Sequence, residues 1–134
     1  MQAIETFKSV RKPLKRTNKN IRSVIDLLLE KKAHNILVLD VRKVSGITDF
    51  IIIAGGSSDR QINTIADNLL KSFRQKPLGH EGLCTPGSRW IVIDYGSMII
   101  HLIHDDLRSY YNIEGLWPEA KELTVEASAN NKKT

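Results

Sequence analysis

Apolar residues recur along this chain with two different periods. Ile21, Val24, Ile25 and Leu28 keep the i, i+3, i+4, i+7 spacing of one helix face, with Asn20 placed as an N-cap. Ser58 and Gln61 form a capping box ahead of a second, broader stripe: Ile62, Ile65, Ala66, Leu69, Leu70 and Phe73. Between these helices, Ile36 to Val41 (ILVLDV) and Phe50 to Ala54 (FIIIA) are short β-branched and leucine runs, hence strands. The loop Lys43–Asp49, with Gly46, separates them, and Gly55-Gly56 ends the second. Pro77 and Gly79 lead to a short strand around Leu78–Leu83, and Pro86-Gly87 turns into the most informative stretch, Trp90 to Trp117.

That stretch begins with two apolar runs around Tyr95-Gly96-Ser97, a β-hairpin with a Gly-led two-residue turn. Asp105 and Asp106 then suit a helix N-terminus, and an aromatic-rich corner stops at Pro118. A last helix is expected from Ala120 to about Ala127. The order is helix, strand, strand, helix, three strands, helix, which predicts an α/β fold: a mixed sheet of about five strands flanked by helices. The hairpin supplies an antiparallel part; periodicity leaves open whether the first strands add in parallel. Residues 1–19 read as a basic, disordered arm, 20–127 as a single domain and 128–134 as a polar tail.

Composition sharpens this outline. A chain of 134 residues buries an ordinary core without staples, and Cys84, standing alone, cannot form an internal disulfide. No apolar run spans a bilayer and no hydrophobic stretch follows the first charges, so the expected setting is the cytoplasm, with organellar targeting by the basic N-terminus as the alternative. The net charge of +5 is unevenly spread: residues 1–22 hold seven basic residues against Glu5, while residues 23–131 hold eleven basic and fourteen acidic ones. Lys8, Arg11, Lys12, Lys15, Arg16 and Lys19 therefore suit contact with RNA phosphate, or solvate a tail.

Catalytic patterns are poorly met. The strand–Gly-Gly-Ser-Ser–helix unit lacks the Lys of a P-loop and the third Gly of a dinucleotide turn, so tight turning and helix capping explain it without a ligand. Asp105 and Asp106 are adjacent and point apart, and Asp94 has no partner one residue away, which argues against metal-dependent nucleotidyl transfer. His34, His80, His101, His104 and Cys84 show no zinc spacing. No enzyme, cofactor or metal is expected.

The hairpin yields a geometric expectation instead. With either two-residue turn, Trp90, Val92 and Asp94 share a face with Ile99, His101 and Ile103; Ile91, Ile93, Tyr95, Met98, Ile100 and Leu102 form the other, the core face. On the mixed face Trp90, Asp94 and His101 can interact across strands. Two compatible readings follow: an internal Asp94–His101 hydrogen bond, and a partner-binding patch extended by Tyr110, Tyr111, Leu116 and Trp117.

Ile47-Thr48-Asp49-Phe50, then Ser57/Ser58-x-Arg60-Gln61, Glu81-Gly82, Trp90-x-x-x-Asp94-Tyr95-Gly96, His101, Arg108-x-x-Tyr111 and Glu114-x-Leu116-Trp117 follow one another in an order and spacing that resembles the ribosome silencing factor (Iojap-like) family over residues 20–120. The resemblance implies a fold similar to nucleotidyltransferases without the catalytic carboxylates. It implies binding to the large ribosomal subunit through its ribosomal protein fourteen, which blocks joining of the small subunit and represses translation under nutrient limitation. Trp90, Asp94, Tyr95, His101, Tyr111, Leu116 and Trp117 are the binding-face residues it carries over. An RNA-binding module in ribosome assembly and a nucleotidyltransferase-like enzyme are the alternatives, and an exposed edge strand would admit a homodimer.

Overall fold

The computed structural model describes residues 11–82 and 87–123, and within these the side chains of all but 11–18, 113 and 114. Helix α1 (Arg11–Glu30) is followed by β1 (His34–Asp40), β2 (Phe50–Gly56), α2 (Asp59–Ser72), β3 (Gly79–Glu81), β4 (Trp90–Asp94), β5 (Met98–His104), α3 (Asp105–Tyr110), a 3₁₀ turn (Ile113–Leu116) and β6 (Lys121–Leu123). The six strands form one sheet in the order β3-β4-β5-β2-β1-β6. The neighbours β2 and β5 run parallel, whereas every other pair is antiparallel. The mixed sheet with flanking helices is the expected architecture, and the parallel question that periodicity left open is answered at its centre.

Both long helices lie on one face of the sheet. Ile21, Val24, Ile25 and Leu28 of α1, with Ile62, Ile65, Ala66 and Leu69 of α2, pack on Phe50, Ile52, Ala54, Ile91, Ile93, Ile100 and Leu102. Each of the buried Val, Leu, Ile and Phe side chains among these contributes about 1.5–3 kcal/mol when removed from water. The two helices are also stitched through polar contacts: the Asn68 amide donates to the Leu27 carbonyl (3.0 Å). Gln61 is the larger clasp. Its Nε2 donates to the carbonyls of Lys31 (3.1 Å) and Lys32 (3.0 Å) at the end of α1. Its Oε1 accepts from the Ser57 N–H (2.7 Å), while Ser58 Oγ accepts from the Gln61 N–H (3.0 Å). The capping box thus forms with its reciprocal arm moved one residue outward, and the same glutamine closes the neighbouring helix.

Four sequence expectations are corrected. Helix α1 starts at Arg11, so Asn20 is no cap but a buried interior residue, 6% exposed, and positions 11–19 are helical; residues 1–10 lie outside the described residues. Gly55 and Gly56 are strand, not turn: a Cβ on Gly55 would sit 2.8 Å from Asp105 Oδ1 and one on Gly56 would sit 2.9 Å from Ile62 Cδ1, so the missing side chains admit neighbours. The cap of α3 is His104, whose Nδ1 accepts from the Asp106 N–H (3.1 Å), while Asp105 reaches His34 Nε2 at 2.8 Å. Finally, the expected C-terminal helix begins instead as β6, because Lys121–Leu123 finds the open edge of β1; residues 124–134, including the polar tail, lie outside the described residues. The short strand expected at 78–83 is present as β3, with 83 outside them.

The end of α1 generates a stability prediction. The N–H of Ala33 bonds the Leu28 carbonyl (3.0 Å) and that of Lys32 bonds the Leu29 carbonyl (2.9 Å), a Schellman closure that puts Lys32 at φ +65. A left-handed backbone costs a non-glycine residue about 1 kcal/mol or more. Replacing Lys32→Gly is therefore expected to raise unfolding stability by about 1 kcal/mol, read as a higher urea midpoint at unchanged slope.

Candidate docking face

The hairpin register sets up the second face of the sheet. Tyr95 N–H donates to the Met98 carbonyl (2.9 Å), so Gly96-Ser97 is the two-residue turn, with Gly96 at φ +86 where a side chain would be strained. Asp94 then pairs with Ile99, Val92 with His101 and Trp90 with Ile103. These six residues share one face as expected, and Ile91, Ile93, Tyr95, Met98, Ile100 and Leu102 are buried on the other. Beyond the hairpin, Ile51 and Ile53 of β2 and Leu37 and Leu39 of β1 continue the floor.

Among the described residues no long helix covers this floor. Leu39, Val41, Ile51, Ile53 and Ile103 form a second, smaller core, closed by the half-buried side chains of Leu37, Trp90, Ile99, Leu107, Trp117 and Ala120. The rings on this face come from three segments: β4 and β5, the end of α3 with the residue after it, and Trp117 just past the 3₁₀ turn. Trp117 packs edge-on to His101 (centroids 5.8 Å), His101 lies against Trp90 (6.0 Å), Trp90 against Tyr111 (6.4 Å), and Tyr111 edge-on to Tyr110 (4.8 Å). The result is one continuous row of rings.

His101 is its hinge point. The Trp90 indole Nε1–H donates to His101 Nδ1 at 3.0 Å, so the lone pair must be on Nδ1 and the neutral ring carries its proton on Nε2. Burial disfavours the imidazolium and pushes the pKa down from 6.5 to about 4. A proton on Nδ1 would set N–H against N–H. The row is thus built to be uncharged at neutral pH.

The positions proposed from sequence separate into groups. Trp90, His101, Tyr111 and Trp117 come together in the row, and Leu116 is next to it in the chain, 62% exposed. Asp94 is on the same face, but its carboxylate accepts from the Gly96 N–H (2.8 Å), so it shapes the turn; the contemplated Asp94–His101 bond is replaced by the Trp90–His101 bond. Tyr95 belongs to the helix side: it is 5% exposed and packs edge-on against Phe73 (5.1 Å), and burial pushes its hydroxyl up to about 12. It supports the fold and is not at the surface. Lys8 lies outside the described residues; Arg11, Lys12, Lys15, Arg16 and Lys19 fall on the first turns of α1, in the opposite layer. Tyr110, part of the patch read from the sequence but not among the residues carried over from the family, is the most exposed ring of the row at 79%.

The carboxylates that could have marked a nucleotidyl-transfer site are otherwise engaged. Asp105 holds His34, and Asp106 meets Arg89 (3.3 Å). Among the described residues no three His, Cys, Asp or Glu side chains assemble as metal ligands, and no helix is long and apolar enough to cross a membrane.

A family model described as "Ribosomal silencing factor during starvation" matches residues 14–134. The chain belongs to this ribosomal silencing factor family. It is 35% identical over 104 residues to ribosomal silencing factor RsfS of Bacillus subtilis, covering 75% of this chain and 86% of that protein. It is 28% identical over 102 residues to the mouse protein named mitochondrial assembly of ribosomal large subunit protein 1, covering 73% of this chain and 45% of that one. A crystal structure of a Chromobacterium violaceum protein superimposes with a TM-score of 0.68 at 27% identity, covering 85% of this chain and 96% of that one. As a ribosomal silencing factor the chain is a translation regulator, and its fold is that of the family.

The His101 geometry predicts a pH dependence. The unfolded chain binds a proton near pH 6.5 and the folded one only near 4, so this group leaves stability intact above 6.5 and erodes it as the pH falls from 6.5 towards 4. The loss has a limiting slope of about 1.4 kcal/mol per pH unit. Denaturant unfolding across that range should show this component in the natural chain and lack it in His101→Gln, whose amide oxygen can still accept from Trp90.

Proposed function

We infer that this silencing factor uses the aromatic face to dock on the large ribosomal subunit through ribosomal protein fourteen, and that its bulk then blocks joining of the small subunit. The observation that carries the reading is the row from Tyr110 to Trp117 on a sheet face that no long helix covers among the described residues. Rings with one edge packed and the other open are what a protein interface uses as anchors, since they bury much area at little entropic cost. Exposed Tyr110, Tyr111 and Leu116 supply the contact, while half-buried Trp90, His101 and Trp117 hold it in shape. Steric occupancy of this kind needs a complementary surface and no reacting group. Repression of translation when nutrients are scarce follows from removing large subunits from the joining equilibrium, in the compartment where ribosomes work, the bacterial cytoplasm. On such a subunit the basic start of α1 would face ribosomal RNA.

The test separates contact from folding. Leu116→Ser changes an exposed side chain and should leave the unfolding midpoint unchanged. It should weaken co-sedimentation with purified large subunits by at least about tenfold, the loss of a strong interface anchor. Equal binding by this variant and by Tyr111→Ser, both folded, would contradict the docking face.

A further inference from the structure

Positions 11–22 of α1 carry Arg11, Lys12, Lys15, Arg16, Lys19 and Arg22 and no acidic residue. With 3.6 residues per turn, these positions fall on an arc centred roughly 150° from the arc of Ile21, Val24, Ile25 and Leu28. The latter four are buried against the sheet, whereas Lys19 and Arg22 are exposed. The cationic positions therefore line the outward side of a helix continuous with the folded domain, over about 18 Å of its axis. Being helical already, they require little ordering on binding.

Their neighbours narrow the choice of partner. Between positions 11 and 20 the large apolar side chains reduce to Leu14, so there is no apolar face to sink into lipid. Positions 11–22 hold no aromatic residue on which an unpaired base could stack. What is left is a row of cationic positions along one helix face, a pattern suited to regularly spaced phosphates. This helix lies on the opposite face of the sheet from the aromatic row, so the two surfaces can be occupied together and altered separately.

We propose that this face of α1 binds the phosphate backbone of double-stranded RNA, adding a sequence-independent, salt-sensitive contact to the one made by the aromatic face. The identity of that RNA as ribosomal rests on the proposed function; the binding chemistry does not.

The test compares the full chain with a Lys15→Gln, Arg16→Gln, Lys19→Gln, Arg22→Gln variant against a short synthetic RNA duplex, across a salt series. Glutamine keeps helix propensity, and circular dichroism checks that α1 persists. The natural chain should bind with log affinity falling linearly with log salt; the variant should lose about four units of that slope and at least about tenfold in low-salt affinity. Unchanged affinity and slope in the variant, no duplex binding by the natural chain, or tighter binding to phosphatidylserine vesicles than to the duplex would each overturn the proposal. Leu116→Ser should bind the duplex normally. If it does so and also still binds large subunits, the docking reading fails while the RNA face stands.

Discussion

Strand β2 is buried at all seven of its positions, so the sheet must be covered on both sides of its centre, yet α1 and α2 lie on one side only. The rest of the molecule answers that imbalance. On the helix side, stripes of aliphatic residues make a conventional core. On the other side Ile51, Ile53 and Ile103 need a cover, and the chain supplies side chains from the hairpin and the segment after it. Large rings can close such a floor from short segments, because each spans more area than an aliphatic side chain. The cover is therefore thin, centred on Trp90 and Trp117 among smaller aliphatic side chains, and open on its outer edge.

A thin cover has consequences for function. Its inner edge is bound to the fold through the Trp90–His101 hydrogen bond, and its outer edge meets solvent at Tyr110, Tyr111 and Leu116. In the proposed docking, Trp90 and Trp117 complete a core while the exposed side chains beside them form the anchor. The proposed docking would thereby be joined to stability at His101: one neutral imidazole holds an indole on one side and touches a second on the other. A regulator that acts by occupancy can be built this way without any reacting group.

Much of this was legible in the chain. The hairpin faces follow from a side-chain period of two, which holds for either turn, so Trp90 and His101 could be put on one face and Ile91 and Leu102 on the other before any coordinates. The stripe of α2 and its capping box were equally plain. What escaped depended on partners distant in sequence. Asn20 resembles a cap locally, but a helix already begun at Arg11 buries it. The stretch 121–123 has no strand signature, and becomes β6 because β1 offers an unpaired edge. Tyr95 carries a motif position that suggests contact, while its strand parity, opposite to Trp90, assigns it to the core beside Phe73. Asp94 was legible as half-buried and polar, but the backbone N–H of Gly96, not His101, satisfies it.

The central claim is that a surface, once occupied, prevents two subunits from meeting. Its most direct measurement adds the full chain to purified large and small subunits and resolves free subunits from joined ribosomes by sedimentation. The account predicts that joined ribosomes fall in proportion to the chain bound to large subunits. Joining that proceeds undiminished while the chain remains on the large subunit would contradict it.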